Sequence, residues 1–212
     1  MHMDIRAYKN IIFDLGGVII DIDPGKAVDA FAKHIYKTQS PYGKLLYNKI
    51  VNGTLLMDYE KGLIDDAQFR DALNDRLDIA LTDHEFDRAF NALLLDYTPE
   101  RLSMLESLKK THKIFLLSNT CHIHFVHYNK LLREKYGYND LSDLFEKMFL
   151  SYEMGMRKPD TRFFNQVIKE AGIKPAESVF IDDSLQNVEA ARSVGLGGLH
   201  KPQEVELTTV FE

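Results

Sequence analysis

The sequence predicts a doubly wound parallel α/β sheet carrying a helical insertion, and three observations predict it. Short apolar runs rich in strand-preferring residues alternate with helix-period segments throughout the second half of the chain. A run of the same kind, Ile11-Ile12-Phe13, stands alone near the start. Between them, from about residue 24 to Tyr97, the apolar positions keep helical spacing and no convincing strand interrupts them. The core is therefore expected to be discontinuous, 1–22 joined to 98–212, with 23–97 as an inserted helical cap.

The elements follow in order. Ile11 to Phe13 read as a buried strand that delivers Asp14 to the open end of a sheet, and Gly16-Gly17 then let the backbone turn sharply. Pro24-Gly25 breaks the extended pattern, and about four helices follow, with breaks near Gln39-Ser40-Pro41, Gly62 and Thr82-Asp83. Thr98-Pro99-Glu100 restarts the chain as an N-cap, a proline at the first helical position and an acid in the first turn. Strand Lys113 to Ser118, a helix from His122 to Tyr136, a strand near Met148 to Ser151 and a helix Thr161 to Ala171 come next. Strand Ser178 to Ile181, helix Leu185 to Val194 and a short strand Gly198 to His200 complete the series. The tail from Gln203 onward carries no pattern.

Composition narrows the function classes. The chain has 212 residues, 45% apolar and 27% charged, which is ordinary for a stable globular protein. Its net charge of -6 gives no electrostatic reason to expect nucleic acid or an anionic membrane as partner. Cys121 is the one cysteine, so a multi-cysteine zinc cage and an intrachain disulfide are excluded, and a reducing cytoplasm fits. The N-terminus lacks the apolar core of a signal peptide, and no run approaches a membrane span.

Chemistry collects at the strand ends. Asp14 ends the first strand, Ser118-Asn119 the second, Arg157-Lys158-Pro159 follows the third, and Asp182-Asp183 ends the fourth. Adjacent carboxylates in a cleft repel unless a cation neutralises them, and Mg²⁺, which takes oxygen ligands, suits Asp14 and Asp183 with Asp182 beside them. The carbonyl of Gly16 offers a further oxygen. Ser118 and Asn119, where strand passes into helix, are placed to bind phosphate oxygens, and Lys158 offers them a point charge. Arg157 reads as a surface residue. Cys121, His122, His124 and His127 read as helix-surface and packing residues, since no separate segment offers a further soft ligand for zinc.

A metal, a carboxylate nucleophile and phosphate donors are the equipment for phosphoryl transfer through an aspartyl-phosphate. In order and rough spacing the four segments resemble the four motifs of the haloacid dehalogenase superfamily. The resemblance implies a Rossmann-like core, Asp14 as nucleophile, Ser118 and Lys158 as second and third motifs, Asp182-Asp183 as the metal-binding fourth, and 23–97 as a cap of the first type. Glu60-Lys61-Gly62 resembles a recurring cap pattern. Phe13-Asp14-Leu15-Gly16, Leu117-Ser118-Asn119-Thr120 and Gly155-Met156-Arg157-Lys158-Pro159 are similar to α-D-glucose-1-phosphate phosphatases. The expectation is a Mg²⁺-dependent phosphatase of a small phosphorylated metabolite, a sugar 1-phosphate first among candidates. Gly16 departs from most phosphatases of the superfamily, which place a general acid there. The alternatives are a 2-haloacid dehalogenase, which needs no metal, and a non-catalytic member that binds a phosphometabolite or a partner.

Overall fold

The computed structural model describes residues 5–35 and 53–211. Five parallel strands form one sheet: β1 (Asn10–Phe13), β2 (Lys113–Ser118), β3 (Lys147–Leu150), β4 (Ser178–Asp182) and β5 (Gly197–His200), in the order β3-β2-β1-β4-β5. Successive strands run outward from β1 on one side, and β4 then returns to its other side. That reversal opens a crevice beyond the carboxyl ends of β1 and β4, where a parallel sheet of this kind binds its ligands.

The apolar runs are continuous because both faces of the sheet are covered. Along β1, Ile11 and Phe13 join one buried cluster and Ile12 the other; Ile114 and Leu116 alternate with Phe115 and Leu117 along β2 in the same way. Helices α5 (Pro99–Leu108), α6 (His122–Leu131), α8 (Thr161–Ala171) and α9 (Leu185–Ser193) follow the strands, with the one-turn α7 (Ser151–Met154) after β3. Thr98 caps α5 by accepting from the Arg101 N–H at 3.3 Å, with Pro99 in its first turn. The helix expected to reach Tyr136 changes character: after Leu131 the backbone widens into a π-turn, Leu132–Tyr136, which ends at Gly137 with φ of 78°. The third strand begins at Lys147 and ends at Leu150, one residue ahead of its expected span.

Helices α1 (Pro24–Ala32), α2 (Thr54–Glu60), α3 (Asp66–Leu77) and α4 (Asp83–Phe90) share a third cluster built on Phe31, Tyr59, Phe69, Phe86 and Phe90. Cys121 and Ile123 at the start of α6 belong to it, so these helices are seated on the sheet domain. Capping boxes at Asp65 with Gln68 and at Thr82 with Glu85 fix where α3 and α4 begin. The break expected near Gln39-Ser40-Pro41 lies outside the described residues. The two chain connections pair with each other: Ile22 bridges Leu94 antiparallel, the Asp23 N–H donates to the Leu93 carbonyl at 2.8 Å, and Leu95 donates to Asp21 at 2.9 Å.

The tail, unreadable in the sequence, is tied down. Glu206 accepts two bonds from Arg101 at 2.8 and 2.7 Å, Leu207 is buried, and the Phe211 ring lies 6.1 Å from that of Phe13. Arg101, itself buried, also reaches Asp21 at 2.7 Å and the Ile19 carbonyl at 3.3 Å. One guanidinium thus joins the first connection, α5 and the tail. No described helix is long and apolar enough to cross a membrane.

Candidate active site

Asp14 leaves β1 at the crevice, and its side chain meets a buried lysine. Lys158 Nζ stands 2.7 Å from Asp14 Oδ1 and 2.8 Å from Asp182 Oδ2, with the lysine 1% exposed and Asp182 fully buried. A charge so deep persists only when paired. Burial works to lower the Lys158 ammonium, but Asp14 and Asp182 outweigh it and hold it above its ordinary value. Burial also pushes the Asp14 carboxyl up, to about 7, with Lys158 pulling against it and Asp182 adding to the rise. Asn119 fixes the lysine from behind: its Nδ2 donates to the Lys158 carbonyl at 3.0 Å and its Oδ1 accepts from the Lys158 N–H at 2.8 Å. Both ends of an amide expected to face phosphate therefore grip the main chain of Lys158.

The two fourth-motif carboxylates have different surroundings. Asp182 accepts from Lys158, from the Ser184 N–H at 2.7 Å and from Asn187 Nδ2 at 3.1 Å to each oxygen. Among the described residues the Asp183 side chain has one hydrogen-bond partner, Gln203 Nε2 at 3.1 Å, while His200 Nε2 donates to its main-chain carbonyl at 2.9 Å. Burial raises the Asp183 carboxyl, and Asp182 adds to that. One oxygen each from Asp14, Asp182 and Asp183 lies within 4.8 Å of the others. The Lys158 ammonium lies against Asp14 and Asp182, while Asp183 feels Lys158 and Lys201 without an ion pair to either among the described residues. The donor set and its excess of negative charge fit a hard divalent cation between Asp14 and Asp183.

The loop after Asp14 is shaped for this. Gly17 has φ of 74°, and a Cβ there would lie 2.3 Å from Asp183 Oδ2, so only glycine lets that carboxylate come so near. Gly16 needs no such freedom: its Cβ would meet Ile22 at an ordinary 3.5 Å. Lys201, buried and unremarked in the sequence, donates to the Gly17 carbonyl at 2.9 Å and holds the loop from below.

Beside Gly16, Ser118 and Asn119 opens a cavity of about 200 Å³, roofed by α1 and α2 and walled by the two connections. Glu60 reaches it from the end of α2, paired with Arg157 at 2.9 Å; the side chain of Arg157, expected at the surface, is about three-quarters covered. The turn of Glu60-Lys61-Gly62 seats against the sheet domain, where a Cβ on Gly62 would lie 2.2 Å from the Tyr152 carbonyl. Its glycine was the sequence signal for that contact. The histidines do packing work. His122 bonds Asp66 at 2.7 Å, and His124 stacks on Phe90 with ring centres 4.2 Å apart. Asp23, a conceivable proton donor, is occupied as the cap of α1, accepting from the Gly25 N–H at 3.0 Å.

Residues 8–195 match the family of haloacid dehalogenase-like hydrolases. The chain belongs to that family. It is 30% identical over 195 residues to the D-ribitol-5-phosphate phosphatase of Bacteroides thetaiotaomicron, covering 88% of each. A sesquiterpene phosphatase of Aspergillus oryzae is 31% identical over 196 residues, 91% of this chain and 89% of that one. A family enzyme of Bacteroides thetaiotaomicron, solved with magnesium and inorganic phosphate, superposes with a TM-score of 0.86 at 32% identity, covering 97% of this chain and 100% of that one. The L-2-haloacid dehalogenase of Xanthobacter autotrophicus shares the fold alone, with a TM-score of 0.60 at 20% identity over 91% of this chain and 77% of that one. This hydrolase thus groups with the phosphatases of its family.

Proposed function

We propose that this hydrolase is a magnesium-dependent phosphomonoesterase of a small phosphorylated metabolite, working through an aspartyl-phosphate on Asp14. The observation that carries the reading is the carboxylate of Asp14 held against Lys158 with Asp183 across the loop. An Asp14 oxygen forms the new bond to phosphorus while the ester P–O bond breaks, and the departing oxygen takes its proton from water. Water then attacks phosphorus and returns Asp14 as a carboxylate. Lys158 offsets charge on the transferring oxygens, and Ser118 at the end of β2 orients them. Asp14, Asp183 and the Gly16 carbonyl would hold Mg²⁺, with Asp182 chiefly fixing Lys158. When bound, the ion neutralises charge on the phosphoryl group.

Residues 23–97 act in this reading as a cap that opens about the paired connections and closes to exclude water. With no carboxyl at position 16, a leaving oxygen of low basicity is favoured, since general acid catalysis contributes about a hundredfold to ten-thousandfold. Among sugar phosphates that favours 1-phosphates over 6-phosphates. The relatives named as phosphatases support the reaction, and the solved relative with magnesium and phosphate supports the ion. Phosphate release from p-nitrophenyl phosphate with Mg²⁺, and its loss on adding EDTA, tests the reading; halide release from a 2-haloacid without metal would replace it.

A further inference from the structure

The cavity beside the nucleophile has a wall unlike that of a sugar site. Ile22, Val28, Leu56, Phe90, Leu93 and Leu94 face it from both connections and from α1, α2 and α4. Of the polar groups that line it, His124 leaves a buried atom, its Nε2, without a hydrogen-bond partner among the described residues, and others are committed. Glu60 is ion-paired with Arg157, and Tyr128 lies 3.3 Å from the Thr120 hydroxyl. Burial pulls the pKa of His124 down to about 4, so its ring, stacked on Phe90, is neutral. Ser118 and Asn119 line it beside Gly16.

A sugar brings several hydroxyl groups, and each one buried without a partner carries a desolvation penalty. The described wall is mostly apolar and offers one buried atom without a partner, His124 Nε2, against the several hydroxyl groups of a sugar. We propose, on the phosphomonoesterase reading, that the substrate is the phosphate ester of a compact apolar alcohol or phenol, whose organic group fills this cavity. Its volume is about 200 Å³. Cavities of about 150 Å³ lined by such side chains admit benzene. A benzyl, aryl or short isoprenyl unit therefore suits the described wall better than a polyol chain or hexose ring. The first connection supplies Ile22 and the second Leu93 and Leu94, so the wall is assembled where the two segments pair.

Two matched pairs of substrates test this with the full chain and Mg²⁺. Phenyl phosphate against glucose 1-phosphate compares good leaving groups, and benzyl phosphate against glucose 6-phosphate compares ordinary alcohols. One methylene in an apolar pocket changes kcat/KM by about 10- to 200-fold. The apolar member is expected to lead by at least about tenfold in both pairs, and Leu56→Asn to shrink that lead by a similar factor. Equal or better turnover of either glucose phosphate, or a lead unmoved by Leu56→Asn, overturns the proposal. If no ester is hydrolysed, the phosphomonoesterase reading fails and binding still tests the wall. Benzylphosphonate binding at least about tenfold tighter than 3,4-dihydroxybutylphosphonate by calorimetry then supports it, and equal or weaker binding overturns it.

Discussion

Two adjacent glycines are expected to respond in opposite ways to the same substitution. At Gly17 the backbone is left-handed, with φ of 74°, and an alanine there costs about 1–2 kcal/mol of strain. Its Cβ would also sit 2.3 Å from Asp183 Oδ2 and 2.8 Å from Asp183 Cγ, so the carboxylate must retreat by about 0.7 Å to reach even the tightest real contact. For a chain of this length the strain lowers the Tm by about 2–8 °C. Moving a ligand off its position typically weakens a metal site by about 10- to 100-fold, so Gly17→Ala is expected to raise the Mg²⁺ needed for half-maximal phosphate release by that factor. At Gly16 the backbone is ordinary, and the new Cβ meets Ile22 at 3.5 Å. Gly16→Ala should therefore leave both the Tm and the Mg²⁺ requirement close to wild type. Thermal unfolding and Mg²⁺ titration of the two variants side by side form the assay. A Gly17→Ala protein with unchanged Mg²⁺ requirement, or a Gly16→Ala protein as impaired as Gly17→Ala, would refute the reasoning.

The paired carboxylates should separate in the same way: Asp183→Asn is expected to raise the Mg²⁺ requirement at least about tenfold with little loss of stability, whereas Asp182→Asn removes one of the two carboxylates on the buried Lys158, leaves Asp14 as its remaining partner, and lowers stability more than Asp183→Asn in urea unfolding. Equal losses in both assays would show that their roles are shared. His124 is kept neutral, with its pKa near 4 against an ordinary 6.5, so the unfolded chain takes up the proton first as the medium is acidified. Stability attributable to it is intact above pH 6.5, falls by at most about 3 kcal/mol as pH drops towards 4, and is level below that. His124→Phe should flatten this part of the profile, and a parallel profile would count against it. Glu206 behaves with the opposite group type: Arg101 holds its carboxyl down to about 2 from 4.5, giving stability that is full above about pH 4.5 and lost as pH falls towards 2. Because Glu206 is partly exposed, that contribution is about 1 kcal/mol, and Arg101→Gln should abolish it along with the docking of the tail, read as faster proteolysis after residue 202.

The sheet was legible because its central strands are buried on both faces, which makes Ile11 to Phe13, Ile114 to Leu117 and Val179 to Ile181 unbroken apolar runs, and because polar residues follow them. Asp14, Lys158 and Asp182 come from three segments, and only the parallel order makes them meet; strand ends in an alternating α/β pattern have few other places to go. What stayed hidden depends on side-chain geometry. Asp182 and Asp183 are identical in sequence, and the clamp of Lys158, Asn187 and the Ser184 N–H around one of them is a tertiary fact. Asn119 is expected to bind phosphate because amides at helix starts often do; that its two ends also match the two main-chain groups of Lys158 is a tertiary fact. Arg157 looked solvated because its partner, Glu60, lies far away in the sequence within the inserted helices. The tail showed no periodicity since short 3₁₀ turns have none to show; Leu207 and Glu206 act there as single anchors. The cavity wall combines residues that each look like ordinary helix core.

The claim on which everything rests is that Asp14 becomes covalently phosphorylated. Rapid acid quenching during turnover of p-nitrophenyl phosphate, followed by mass spectrometry of the proteolysed chain, measures this directly. The account predicts a phosphoryl group on the peptide that contains Asp14, absent without Mg²⁺ and absent in Asp14→Asn, whose turnover falls by more than about a thousandfold, near 4 kcal/mol of barrier. Steady phosphate release with no adduct on that peptide, or an Asp14→Asn enzyme within tenfold of wild type, would contradict it.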